Sequence, residues 1–386
     1  MRTIVAGKKH WLVSAALLFS AQLSVTSADA SVIFDVTDLG SLGGKGVRGY
    51  DINDAGQVTG SSSTTNNASL HAFLYSDGIM VDLGTGNQHS SGYGINNVGQ
   101  ATGYADVAGS NYSHAFLYSD GAMMDLGTLG GTHSYGYAIN DAGQVTGNSS
   151  IAGNAGQHAF LYSDGAMTDL GTLGGGYSIG YGINDAGGVV GSSHISAGSS
   201  MSHAFLYSDG VMTDLGTLGG WYSAGYDIND AGQVVGNSYM TMTDSISHAF
   251  LYSDGVMRDL GTLGGASSIG HGINNAGQVV GTSTTANSSV LSHAFFFDDG
   301  IMNDLNDLID PLSGWTLLDA RAINDKGQIT GFGTFQGGVR GFLLTPQAAV
   351  PEPATWAMMI IGFGCIGGAM RRRKLAECAV GTAAAG

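Results

Sequence analysis

Residues 52–60 read INDAGQVTG, and this nonapeptide returns six times with small changes. The other copies are INNVGQATG at 95–103, INDAGQVTG at 139–147, INDAGGVVG at 183–191, INDAGQVVG at 228–236, INNAGQVVG at 273–281 and INDKGQITG at 323–331. Successive starts are 43, 44, 44, 45, 45 and 50 residues apart. A period of this length marks one supersecondary unit that cannot bury its apolar face alone and must stack on its neighbours.

The second unit shows the content of a repeat. Tyr93–Ile95 reads as a short strand that ends at the turn Asn96–Gly99, with Gly at the left-handed position. Gln100–Gly103 is a second strand, and a variable loop runs from Tyr104 to Ser113. His114–Tyr118 is a third, β-rich strand, Asp120–Gly121 a tight turn, and Ala122–Leu126 a fourth strand. Four short antiparallel strands in about 44 residues match a propeller blade. The third strand is apolar on both sides, as expected when neighbouring blades cover both faces. The first strand is Gly-rich, as crowding near a propeller axis requires.

The ends of the array complement each other. Phe34–Leu39 is a fourth strand with no preceding first strand. The last unit has Arg321–Ile323, Gln328–Thr330 and Arg340–Leu344 but no fourth strand. The predicted fold is therefore an all-β, seven-bladed β-propeller over 31–346, closed by its N-terminal strand. A linear solenoid is the alternative, and it would leave both end strands as exposed pairing edges.

Composition agrees. Gly is 65 of 386 residues and Pro only 4, which suits many tight turns. Of the 13 Lys and Arg, seven lie outside 31–350, as do three of the 30 acidic residues; the body is near −21 and all 27 of its acids are Asp. Such a body repels nucleic acid and anionic membranes. Most of these Asp fall in three turn-associated columns, where Asp is expected to bond its own backbone as the longer Glu does poorly. Calcium is the alternative use, but no D-x-D-x-D-G or G-G-x-G-x-D loop is present. The two cysteines, Cys365 and Cys378, are both in the tail, so the body holds together without disulfides.

Both termini carry targeting patterns. Arg2, Lys8 and Lys9 precede the apolar Trp11–Val25, and Ala28–Asp29–Ala30 fits small-x-small cleavage, so 1–30 reads as a signal peptide. At the other end, 347–353 is a linker carrying the motif Pro351–Glu352–Pro353, followed by Trp356. The stretch 354–374 is an apolar segment ending in Arg371, Arg372, Arg373 and Lys374, and 375–386 is a short tail. Ala354–Met370 as a helix would span about 25 Å, the short limit for crossing a bilayer. Its basic cluster stays cytoplasmic, leaving the body outside.

Two resemblances follow from these motifs. His-Ala-Phe recurs at His71, His114, His158, His203, His248 and His293, with YSDG and DLGTLGG around it. Over roughly 33–345 the chain thus resembles the HAF-type extracellular repeat family, which implies export and confers no catalytic residues. It departs from the pattern at Arg340–Gly341–Phe342 and at Asp304–Leu308. The tail resembles the PEP-CTERM sorting signal. That resemblance implies recognition by an exosortase-type enzyme in the inner membrane of a Gram-negative bacterium. It also implies release or attachment at an exopolysaccharide-rich surface. A plain membrane anchor without processing is the alternative.

Candidate sites are few. The six repeated His are expected to be structural, bonded between blades or to a turn, because equivalent residues on separate blades diverge rather than converge on one metal. His89, His133, His194 and His271 show no ligand spacing. No metal site and no cofactor is predicted. A body without Glu or Cys, and without a Gly-x-Ser-x-Gly elbow in a triad context, gives catalysis little support. Binding is expected on the variable-loop face, at Gly86–Ser91, Gly131–Tyr135, Gly174–Ile179, Gly219–Ala224 and Asn306–Asp319. That face carries Trp221, Tyr222, Tyr177, Tyr135, His133 and Trp315, aromatics that either stack on sugar rings or pack the loops onto the blade tops. The main expectation is a non-enzymatic surface or matrix protein. A carbohydrate-active lyase or hydrolase and a calcium-dependent adhesin are the competing classes.

Overall fold

A computed structural model describes residues 34–347 except 85–87, 244–245 and 287. The expected signal peptide and sorting tail lie outside the described residues. The chain enters as β1 (Phe34–Asp38). The first unit then builds β2 (Gly43–Ile52), β3 (Val58–Thr64), β4 (Leu70–Ser76) and β5 (Ile79–Asp82). This meander recurs around the molecule, giving seven four-stranded antiparallel sheets among the described residues. The second unit has strands at Ser90–Ile95, Ala101–Asp106, Ser113–Ser119 and Ala122–Asp125, within a few residues of expectation.

The seventh sheet is completed from the other end of the chain. β1 pairs antiparallel with the strand Gly338–Pro346, in the register Phe34↔Pro346 to Asp38↔Phe342. Each end supplies what the other lacks, and the linear solenoid is excluded. The two departures from the repeat pattern are explained here. Arg340 stands where six blades have His, and its guanidinium bonds Asp38 through Nε (3.2 Å) and Nη2 (2.7 Å). Asp304–Leu308 forms a 3₁₀ turn, Leu305–Leu308, with Asp304 accepting from the Asn306 backbone N–H.

The core lies between sheets. Phe73, Phe116, Phe160, Phe205, Phe250, Phe295 and Phe342, the aromatic of each third strand, are all buried. Each contributes about 1.5–3 kcal/mol by removal from water. The last Gly of the nonapeptide faces this ring: a Cβ on Gly147 would lie 1.8 Å from the Tyr135 carbonyl and 2.9 Å from Phe160. Near the axis, a Cβ on Gly94 would meet the Ala138 Cα at 2.9 Å, the crowding expected of the inner strands.

The inner strands share one irregularity. In all seven, the register with the second strand slips by one residue just before the Ile of the nonapeptide, as between Gly49 and Asp51 or Gly180 and Gly182. The extra residue is Tyr50, Tyr93, Tyr137, Tyr181, Tyr226, His271 or Arg321. A bulge leaves its extra residue outside the ladder and re-aims the side chain.

Candidate functional site

The nonapeptide turns meet at one end of the axis. In each turn the Asn holds its own backbone: Asn53 Oδ1 accepts from the N–H groups of Ala55 (3.1 Å) and Gln57 (3.0 Å). Its amide then reaches the next blade. Asn53 Nδ2 donates to the Asn96 carbonyl, Asn96 to Asn140, Asn140 to Asn184, Asn184 to Asn229, Asn229 to Asn274, Asn274 to Asn324, and Asn324 back to Asn53, all at 2.9–3.2 Å. The following residue forms a second closed ring, in which each backbone N–H donates to the side-chain oxygen of its neighbour: Asp54 to Asn97, then Asp141, Asp185, Asp230, Asn275, Asp325 and back to Asp54. This corrects the expectation for the turn Asp column. Asn supplies the local turn bonds, and Asp joins blade to blade. The two rings and the adjacent Ile line an axial cavity of about 170 Å³.

The other Asp columns are also engaged. Each repeated His bonds through Nδ1 to the Asp eleven residues on, in the neighbouring strand: His71–Asp82, His114–Asp125, His158–Asp169, His203–Asp214, His248–Asp259 and His293–Asp304. In all six pairs, that Asp also accepts the N–H two residues further, as Gly84 to Asp82. The bond lies within a blade and fixes a turn; it does not link blades.

Two residues back along each inner strand, about 6–7 Å at strand rise, the bulged side chains form a belt. Tyr50, Tyr93, Tyr137, Tyr181, Tyr226 and His271 follow one another with ring centroids 5.2, 5.4, 5.5, 5.1 and 5.8 Å apart. Arg321 closes the circuit, its guanidinium 5.9 Å from the Tyr50 ring centroid and 5.6 Å from that of Phe332. Spacings of this kind favour edge and offset ring contacts and cation–π attraction. Burial, then neighbouring phenols, pushes the hydroxyls of Tyr93, Tyr137, Tyr181 and Tyr226 well above the ordinary phenol range.

Beyond the belt, toward the variable-loop face, stand further phenols. Tyr104 contacts Tyr93 (5.9 Å) and Tyr135 (5.3 Å). Tyr222 hydrogen-bonds Tyr226, and Tyr177 and Tyr222 both bear on the Tyr181 hydroxyl. Nine of the chain's 16 tyrosines thus gather around the axis.

One corner is ionic. Asp319 is 8% exposed and lies 2.8 Å from Arg321 Nη2. Burial raises its carboxyl to about 6 against the lowering effect of Arg321 and Arg48. His271 Nε2 is 3.3 Å from Asp319 Oδ1. The contact is not aligned as a hydrogen bond, since that oxygen has no partner. Burial, with Arg321 nearby, holds the imidazole well below its usual range, so His271 is neutral. Arg48, exposed, stacks 5.1 Å over Phe332. Five of the six buried side chains that leave a polar atom unpaired among the described residues sit in the columns flanking this axis: Ser61, Asn148, Asn237, Asp319 and Arg321.

The structure sorts the predicted aromatics into separate groups. Tyr135, Tyr177 and Tyr222 converge on the axial belt. His133 stacks on Tyr135 at 6.4 Å and 9°. Trp221 packs edge-on against Tyr239 at 4.8 Å and against Tyr222 at 6.0 Å, on the outer margin of that group. Trp315 is not a free surface ring: it stacks on Phe335 (4.7 Å, 5°), meets Phe342, and belongs to the core of the last blade. Gly131–Tyr135 is strand rather than loop, because the inner strand there starts at Gly130. Sequence reasoning passed over the belt itself. Its signal was the residue two before each Ile, which is Tyr five times, then His, then Arg.

These features define a closed, all-β, seven-bladed propeller with a polar ring at one end of its axis and an aromatic belt within. Residues 349–374 match the PEP-CTERM protein-sorting motif, the tail of a chain exported through a membrane-anchored intermediate. Residues 216–340 match a family described as protein of unknown function (DUF3466). No curated protein matches the chain in sequence. Similar solved structures include a putative TolB from Agrobacterium tumefaciens, at 13% identity and TM-score 0.45 over 70% of this chain and 95% of that one. A gluconolactonase from Xanthomonas campestris has 10% identity and TM-score 0.41, covering 83% of this chain and 93% of the other. Dipeptidyl peptidase 4 from Porphyromonas gingivalis has 10% identity and TM-score 0.42, covering 82% and 54%.

Proposed function

We propose that this chain is a surface-directed binding module of the extracellular matrix, non-enzymatic, that holds a saccharide chain at the variable-loop end of its axis. The observation that carries this reading is the gathering of nine tyrosines there, with His271 and Arg321 completing the belt. Tyrosine offers an apolar face for the C–H side of a sugar and a hydroxyl that donates and accepts. Among the described residues most carboxylates of the repeat columns are committed to His pairs or to the turn rings, which favours binding over glycoside hydrolysis. The HAF-type resemblance and the exosortase-dependent tail support the same setting, an exopolysaccharide-rich surface. In this reading the apolar stretch 354–370 serves to hold that intermediate in the membrane until it is sorted.

A glycan-array screen of the exported protein tests this. Wild type is expected to retain a defined set of polysaccharides, and Tyr135→Ala/Tyr222→Ala to lose at least about tenfold in affinity, the loss of roughly one stacking contact. An array without binders would refute it. A second reading, a carbohydrate-active lyase or hydrolase, is favoured only by the His271–Asp319–Arg321 corner. New reducing or unsaturated ends after incubation with a bound polysaccharide would establish that reading in place of the first.

A further inference from the structure

We propose that the saccharide read by this axis is acidic, a uronic-acid residue whose carboxylate is taken by Arg48 beside the Asp319–Arg321 pair. This rests on the binding reading above and names its ligand class. The body is near −21 with only six Lys and Arg, so a cation at a binding surface runs against the general field. Two of the six stand together here, both over Phe332. Their situations differ. Arg321 is held by Asp319 at 2.8 Å. Arg48 is exposed and has no ion-pair partner among the described residues.

Counting Arg48 and Arg321 against Asp319, with His271 neutral, the corner carries one net positive charge. A guanidinium fork matches a carboxylate in two parallel bonds, and ring stacking fixes its plane beforehand. Phe332 supplies that plane. Asp319 orients Arg321 and keeps the corner from being a general anion trap, since its own carboxylate repels a second anion on that side. The anion must approach Arg48, while the sugar ring carrying it lies along Tyr50, a contact that a bare anion lacks.

The test is calorimetric titration of the full-length protein in mild detergent with a uronic-acid oligosaccharide and with the same oligosaccharide after its carboxylates are reduced to primary alcohols. The acidic form is expected to bind at least about tenfold tighter, the worth of one charge-assisted contact. Arg48→Gln is expected to abolish that preference and Arg48→Lys to restore part of it, while Arg258→Gln on an outer strand leaves it unchanged. Arg48 is exposed, so its variants retain the fold, and their unchanged melting temperature verifies this. Equal binding of both oligosaccharides would overturn the acidic specificity and leave the saccharide-binding reading standing. Binding of neither would overturn both. An acid preference that survives Arg48→Gln would remove Arg48 as its reader.

Discussion

Replacing Asn140 with alanine breaks one link of the ring that ties the seven turns together, and the structure gives the size of the effect. Asn140 is 3% exposed. Its Nδ2 donates to Gln144 Oε1 (2.8 Å) and to the Asn184 carbonyl of the next blade (3.0 Å), and its Oδ1 accepts from the Gln144 N–H (2.9 Å). Three hydrogen bonds, one buried and two partly so, at about 1 kcal/mol each give roughly 3 kcal/mol, with the orphaned Asn184 carbonyl and Gln144 N–H adding to it. Asn140→Asp separates the two halves of the role: it keeps the acceptor but sets a carboxylate oxygen against the Asn184 carbonyl, so it should destabilise as much as alanine or more. Urea unfolding followed by tryptophan fluorescence and by circular dichroism measures both variants. A ring that shares load around the axis unfolds as one transition, with coincident probes. A loss below about 1 kcal/mol in both variants, against the roughly 1 kcal/mol of a single bond, would refute the inter-blade role of the Asn column.

Other consequences are as direct. Arg340→Ala should cost about 1–2 kcal/mol, since the Arg340–Asp38 pair is bidentate and about three-quarters buried, and Arg340→His should recover part of it because His fills this column in six blades; a double-mutant cycle showing no coupling would contradict this. Asp51 and Asp227 are largely withdrawn from water on the inner strands, and desolvation raises each from 3.8 to about 7. The native state therefore keeps protons that the unfolded chain releases, and stability falls as pH rises from about 4 to about 7, by on the order of 4 kcal/mol per group. Melting curves across that window should show the decline, and Asp51→Ala/Asp227→Ala, using the residue that Ala138 and Ala322 supply in other blades, should flatten it; a melting temperature that rises through the window would oppose the account. Replacing Pro351, Glu352 and Pro353 with alanine should leave a longer, membrane-retained form on immunoblots of cell fractions, and wild-type size and location would deny the motif its sorting role.

The propeller was legible because its signals are local and repeated. Asn-Asp-Ala-Gly turns, Asp-Gly turns and the apolar third strand each announce themselves within a few residues. The orphan strand Phe34–Leu39 could be matched to the gap beside Arg340–Leu344 by counting parts. What links one blade to the next was not legible. Asn53 and Asn96 are 43 residues apart, and nothing in either neighbourhood shows that an amide will bridge them. The Asp of the turns was read as bonding its own backbone because that is its usual local habit, whereas the neighbouring N–H that it accepts exists only once the ring closes. The axial belt was hidden by its bulge. Tyr50 and Tyr93 sit in Gly-rich strands that look merely crowded, and a register slip of one residue decides which way a side chain faces. Trp315 misled for the opposite reason: it stands at the end of a long insertion, yet Phe335 and Phe342 take up its ring.

Every ring and belt described above requires that the circle of blades be closed by the N-terminal strand, and a disulfide tests that closure. Asp35 and Thr345 face each other directly across the closing ladder and are both exposed. Directly opposed strand residues have Cα atoms about 4.5–5.5 Å apart, within disulfide reach. With Cys365 and Cys378 replaced by serine, Asp35→Cys/Thr345→Cys should oxidise to a monomeric intramolecular crosslink. The bond should raise the melting temperature, since it closes a loop of some 310 residues, worth about 6 kcal/mol in the chain-entropy estimate. If this pair and its neighbour Thr37→Cys/Leu343→Cys give only free thiols or intermolecular dimers, the two ends of the chain do not meet and the closed propeller is wrong.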